Sequence, residues 1–493
     1  MPDDRTVVDS KTKIRKLLVS AYPDNAGSAI FTELATDNIV DEGKDNPNTK
    51  PIFEEMAYWK DLTRTDNDDT KSFWTSCYNA IANANLALQR ITELKGANFE
   101  AERGEALMAR AFSHFMLVNV FAKHYNPATA DSDLGITYMV KGETTLNPKY
   151  KRSSVAEVYK NIEKDIETAL PLISDDMYEQ PKYHFTKKAA YAFAARFYLY
   201  YGKWEKAVEY ADKVLEVSEF INWAYLGTLS ANLNYRAKEL QKDKGCMLLL
   251  PDITDAGLLF GAYYYGARIN HTRFIADRET ATNKMPWGAL DPVGSYHSRA
   301  FAYSANNYQK VNFPNIPMYF EVKDPVAGIG YYRAIYTTFT TDQVALIRAE
   351  AKIHLGQYAE ALADLNAWTR NYFKNGNEVT LQEINDFYNG IPYSEPTADG
   401  LTQKKKLNPV YFTIKDKEQE NMLHYVLQCR RLLTLHSGLR WYDVKRFGIE
   451  VARLQKQKNG EYQLIDKLVV GDNRRAMQIP QDVISSGLEP NPR

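Results

Sequence analysis

Cysteine is scarce in this chain, long apolar runs and an excess of either charge are missing, and each of these removes a class of function. The three cysteines, Cys77, Cys246 and Cys429, stand far apart with no CxxC or Cys/His spacing. Neither a zinc site nor a disulfide framework is therefore encoded, and all three read as small buried hydrophobes. No run of 18 apolar residues occurs, so no membrane-spanning helix is expected. Met1-Pro2-Asp3-Asp4 opens a polar segment without a hydrophobic signal core, which fits a cytosolic chain or a mature form trimmed of its export signal. Sixty-one basic and 62 acidic side chains leave a net charge of -1, so no global field draws the chain to nucleic acid or to an anionic membrane.

Catalytic signatures are missing as well: there is no HExxH, GxSxG, P-loop or GxGxxG. The eight histidines do not pair at metal-ligand spacing, and His114 and His354 lie in helical runs where packing or hydrogen bonding accounts for them. Asp66-Asn67-Asp68-Asp69 approximates the start of a calcium loop, but Lys71 stands where glycine is required and no glutamate follows at the twelfth place. A solvated turn capping the next helix is expected there. Acidic pairs such as Asp41-Glu42 are the residue type of glycoside hydrolysis, but that chemistry needs a set carboxylate separation that adjacency does not supply. The expectation is a protein with no catalytic site, no metal and no cofactor.

What the chain does have is a helix-turn-helix unit written twice. Ala195 to Ala207 and Ala349 to Ala361 align so that Gly202 matches Gly356, Trp204 matches Tyr358 and Ala207 matches Ala361. A glycine that ends one helix, an aromatic at the turn and a small residue that lets the second helix approach are the tetratricopeptide pattern, a binding scaffold. Other helices follow from 3.6-residue periodicity: Trp74, Tyr78, Ile81, Leu88 and Ile91; the dense Ala106 to Phe121; and Val155 to Leu170, preceded by Ser154 and Glu157 at capping-box spacing. Thr340 and Gln343 share that spacing, and a further helix is predicted from about Glu418 to Leu435. Glu461 to Val470 and Ala476 to Ile479 read as short strands. The fold class is thus mainly α, with the helical scaffold at 73–219, 340–374 and 418–450 and an irregular, loop-rich half at 220–339 and 375–417.

Five segments in order resemble the SusD/RagB-like nutrient-binding proteins. They are Tyr78 to Asn85, Gly104 to Phe112, Ile347 to Ala351, Leu439 to Gly448 and Ile479 to Ile484. The resemblance implies one domain over 1–493, about four tetratricopeptide-like units and an irregular half wrapped against them that binds nutrient. It also implies a lipid-anchored cell-surface protein of the outer membrane, partnered with a SusC-like TonB-dependent transporter barrel. Family precursors carry a lipidated cysteine after a signal peptide, and the first cysteine here is Cys77, so the anchor is implied by resemblance alone. Arg440, Asp443 and Arg446 in the fourth segment are expected to form internal ion pairs.

Long irregular segments inside a compact domain tend to carry function. The chain has 34 tyrosines, and a flat ring bearing a hydroxyl stacks on a pyranose while amides, carboxylates and guanidinium groups satisfy the sugar hydroxyls. From Tyr263 to Tyr308 both kinds interleave. The candidate ligand residues are Tyr265, Trp287, Tyr296 and Tyr308 for the rings, Arg268, Asn270 and Asn306 for the polar contacts, and Trp59 nearer the N-terminus. The expected function is non-enzymatic capture of an oligosaccharide or glycan for delivery to the transporter. The alternatives are an oligopeptide receptor of the same architecture and a cytosolic tetratricopeptide adaptor that holds a protein partner.

Overall fold

The computed structural model describes residues 8–24, 28–94, 98–142, 149–229, 233–260, 266–286, 288–289, 301–302, 310–313, 315–374 and 378–493. Three short helices come first, α1 (Lys11–Val19), α2 (Ser28–Leu34) and α3 (Pro51–Ala57), with the two-residue strand β1 (Val40–Asp41) before α3. The Asp69 carboxylate then accepts the Ser72 amide at 2.6 Å and caps α4 (Thr70–Glu93). Along it packs α5 (Glu100–Phe121), buried without a break from Gly104 to Phe115, which is why its sequence shows no polar stripe. Against α5 lies α6 (Val155–Ala169), capped by Ser154 and turning Val155, Val158, Tyr159, Ile162 and Ile166 inward.

Next come α7 (Lys187–Tyr201) and α8 (Trp204–Leu215), the first copy of the repeated unit. Gly202 adopts φ +76, its amide donates to Leu199 O, and Lys203 donates to Tyr198 O. Such a close needs a left-handed residue that glycine supplies without strain.

Beyond α8 the chain is less irregular than expected. After α9 (Trp223–Thr228) and α10 (Leu233–Lys242) comes β2 (Cys246–Ile253), then α11 (Ala256–Leu259), β3 (Ile269–Asn270) and α12 (Arg273–Glu279). Two small antiparallel ladders follow, β4 (Lys284–Met285) with β5 (Gly288–Ala289) and β6 (Phe301–Ala302) with β7 (Val311–Asn312). Strands β8 (Tyr319–Asp324) and β9 (Ile329–Thr340) join β2 in a three-stranded antiparallel sheet, order β2-β9-β8, with Leu248 opposite Phe339. Residues 246–250 of β2 are all buried, so no alternation marks the strand in sequence, and Pro251 inside it argues against one.

The second copy is α13 (Thr341–Leu355) and α14 (Tyr358–Tyr372), closed by Gly356 at φ +79 with the same pair of bonds, Gly356 to Ile353 O and Gln357 to Lys352 O. α15 (Leu381–Gly390), inside the segment expected to be irregular, packs on α16 (Lys417–Leu433), and α17 (Arg440–Arg446) follows. The pairs α4/α5, α7/α8, α13/α14 and α15/α16 make the tetratricopeptide-like scaffold, and α8 packs on α13 to join the two matched copies. Strands β10 (Val451–Lys456) and β11 (Tyr462–Leu468) build a second sheet, order β11-β10-β1-β3, and α18 (Gln481–Ser485) lies close to the C-terminus. The strand expected at Ala476 to Ile479 is not one: Met477 donates to Val120 O on α5, so this segment spends its hydrogen bonds on the scaffold rather than on a ladder.

The expected internal ion pairs are present. Arg440 grips Asp37 with two bonds of 2.9 Å, Arg446 pairs with Glu350 and Asp443, and Arg430 reaches Glu350 at 2.5 Å and Asp443 at 3.0 Å. All these groups are buried, so each charge depends on its partner. They tie α13, α16 and α17 to the end of α2.

Candidate functional site

The foot of the aromatic segment is braced by residues that the sequence offered as ligand contacts. Arg268 places Nε and Nη2 each 2.7 Å from the Asp41 carboxylate and Nη1 2.9 Å from Glu54. Burial opposes the charge on Asp41, but Arg268, the Gln455 amide and the Gly43 amide outweigh it and hold this carboxyl below its ordinary range. Asp41, from the acidic pair read above, is thereby committed to structure. Asn270 donates to Leu259 O at 3.3 Å and accepts the His271 amide at 2.8 Å. Trp59, in a left-handed conformation at φ +52, donates to Ala35 O at 2.8 Å and lies near the guanidinium groups of Arg453 and Arg474, 5.1 and 5.6 Å from its ring. All three are buried, with internal partners in place of an open face. Tyr265, Trp287, Tyr296, Asn306 and Tyr308 lie outside the described residues.

Two strands of chain close this segment into a loop. Thr272 pairs with Lys310, Val311 donates to His271 O at 3.1 Å, and the His271 ring nitrogen Nδ1 lies 2.5 Å from Val311 O. Lys310 is buried and donates to Leu259 O at 2.7 Å; the loss of solvent pulls its pKa down to about 7. The turn at Asp66 to Asp69 caps α4 as expected but is solvated only in part, at Asp66 and the exposed Asn67. Asp68 is fully buried, accepting the Thr254 hydroxyl at 2.5 Å and the Asp255 amide at 2.9 Å, and burial pushes its carboxyl up to about 7. Oxygens of Asp66, Asp68 and Asp255 converge within 4.8 Å, and the Lys50 ammonium bridges Asp66 and Asp255 at 2.9 and 2.5 Å.

Between the two ends of the loop, α12 projects Ile275 and Glu279 into a cleft of about 230 Å³. Its floor is apolar, formed by Ile39, Val40, Ile275 and Leu454, and its walls carry Asp37, Tyr393, Ser394, Glu395, Lys405, Lys406, Glu450 and Lys467. Lys405 lies 2.5 Å from Glu279 and 3.1 Å from Ser394 Oγ, while Glu279 also pairs with Arg431 at 2.8 Å. Burial draws the Lys405 ammonium below its ordinary value against the pull of Glu279 and Asp37. Glu395 and Lys406 are exposed at the rim. Donors and acceptors of both signs around an apolar floor suit a hydroxyl-rich ligand, whose ring faces are apolar and whose edges are polar. Reading by residue type passed over these groups, although Tyr393-Ser394-Glu395-Pro396 and Lys404-Lys405-Lys406 sit in the second segment marked as irregular.

Residues 1–199, which include α4 to α6 and nearly all of α7, match the family model SusD-like, described as starch-binding and associating with the outer membrane. Over those residues the chain is similar to the SusD-like family. A SusD-like protein of Formosa agariphila is 22% identical over 455 residues, covering 84% of this chain and 78% of that protein. Among solved structures, a SusD superfamily protein from Bacteroides thetaiotaomicron superposes with TM-score 0.65 at 16% identity, covering 98% of this chain and 99% of its own. A SusD-like carbohydrate binding protein from Bacteroides vulgatus gives TM-score 0.65 at 16% identity, covering 97% and 96%. These likenesses show that the chain shares its overall fold with SusD superfamily structures. Among the described residues no helix is long and apolar enough to cross a membrane.

Proposed function

We propose that this protein is a non-enzymatic surface receptor that captures an oligosaccharide or glycan and passes it to a SusC-like TonB-dependent transporter at the outer membrane, itself held by a lipid anchor. The observation that carries this reading is the position of the polar cleft. It opens at α12 and supplies hydroxyl-binding groups, and the ring-stacking candidates Trp287, Tyr296 and Tyr308 follow α12 in the sequence. Neither kind suffices alone for a sugar. The outer-membrane association of the matched family supports the location, and the carbohydrate binding named for the Bacteroides vulgatus relative supports the ligand class.

Isothermal titration against soluble glycans tests it, comparing the wild type with Trp287→Ala and with the rim variant Glu395→Ala/Lys406→Ala. Binding of one glycan class that both variants weaken supports the receptor and its site. Saturation by peptides and by no glycan would replace the ligand class, and binding that neither variant alters would move the site.

A further inference from the structure

A second cleft lies elsewhere, between the scaffold and the three-stranded sheet, walled by α5, α7, β9 and the start of α13. Its volume is about 140 Å³, room for roughly ten water-sized groups. Rings of Phe115, Tyr200, Trp223, Tyr336 and Tyr442 line it. Its described lining contains one charged side chain, Arg196, and no carboxylate.

Arg196 is 7% exposed. Its Nη2 donates to Thr338 O at 3.0 Å and to Gln343 Oε1 at 2.7 Å, and its guanidinium sits 4.3 Å from the centre of the Phe339 ring. Among the described residues no acidic group pairs with it, and both of its hydrogen bonds to them are made by Nη2. The removal of solvent lowers its pKa to about 10, and nearby Arg430 adds repulsion. A cation held in an aromatic-walled cleft with no counter-charge among the described residues is half of a binding site, because a planar guanidinium recognises carboxylates through its fork of donors.

We propose that this cleft binds a small organic carboxylate with an apolar body of about ten non-hydrogen atoms, the carboxylate on Arg196 and the body against the rings. The class follows from the lining: an anion answers the lone charge, an apolar body answers the rings, and the volume limits the size. This site shares no wall with the polar cleft at α12, and it does not depend on the glycan reading.

The test is calorimetric titration of the full chain with benzoate, hexanoate and the neutral benzamide at low salt, for wild type, Arg196→Lys and Arg196→Gln. Saturable one-to-one binding of benzoate is expected, at least about tenfold tighter than benzamide, weakened in Arg196→Lys and lost in Arg196→Gln. If Arg196→Gln does not fold, the wild-type comparison of benzoate with benzamide still decides. Equal affinity for the two, or no saturable heat from either anion up to about 10 mM, overturns the proposal and leaves water as the partner of Arg196. Glycan titration of the same sample reads the receptor function separately.

Discussion

Trp204 stacks face to face on His354, ring centroids 4.5 Å apart and planes 12° from parallel. The contact joins the turn aromatic of the first repeat to the helix that opens the second, so the residue that makes the motif recognisable also holds the two copies together. Burial keeps His354 below its ordinary pKa despite the neighbouring Glu350, and a neutral imidazole stacks without a desolvated charge. Trp204 is half-buried. Trp204→Ala is expected to cost roughly 2 kcal/mol in urea unfolding, from lost packing and lost stacking together.

Two glycines with nearly the same φ should respond very differently to alanine. Gly356 has φ +79 and open space where a Cβ would go, so Gly356→Ala carries backbone strain alone, about 1 kcal/mol. Gly438 has φ +75, and a Cβ there would strike Thr32 Oγ1 and lie 2.9 Å from Ala29 Cα. Its amide also donates to Glu33 at 3.1 Å. Gly438→Ala is expected to cost roughly 3 kcal/mol or more, because strain and overpacking combine. Paired denaturation curves check the difference.

The contrast between those glycines marks what could be read in sequence. Gly202, Gly356 and the caps at Ser154 and Thr340 act through residues three to five positions away, and local patterns are legible one chain segment at a time. Arg268 is different: it meets Asp41, 227 positions earlier, so nothing near it distinguishes a brace from a ligand contact. The same holds for the polar cleft, where α12, the 393–406 loop and β10 meet only in three dimensions. Burial on both faces erased the alternation of β2, while the run from Glu461 to Val470, half-exposed as β11, was recognisable as a strand.

Glu350 gives a prediction about acid. Burial works against its charge, but Arg430 and Arg446 overcome this and hold its carboxyl well below the ordinary range. A carboxyl depressed in the folded state adds stability above its unfolded pKa, near 4.5, and that contribution is lost as pH falls toward the folded value. Glu350→Gln should therefore lose less stability than the wild type between about pH 5 and pH 3. At neutral pH it should be less stable by about 3 to 5 kcal/mol, because two buried guanidinium groups lose their shared partner. Denaturant midpoints across that pH range measure both effects.

Lys310 should show a dependence of the same direction in a higher pH window, here as a penalty rather than a gain. Its pKa is about 7 in the fold against 10.5 for the free side chain, and burial is the cause. From pH 7 up to about 10 the unfolded chain holds this proton more firmly than the folded one does, so folding carries a penalty that is largest at and below pH 7 and fades as pH rises. Lys310→Met removes the penalty together with the bond to Leu259 O. The variant should gain on the wild type as pH is lowered from 10 to 7, in global unfolding and in hydrogen exchange of the Val311 amide, which closes the loop on His271. A difference between the two proteins that stays constant with pH would mean that Lys310 is hydrated in the fold and that the loop closes without a pH-sensitive clasp.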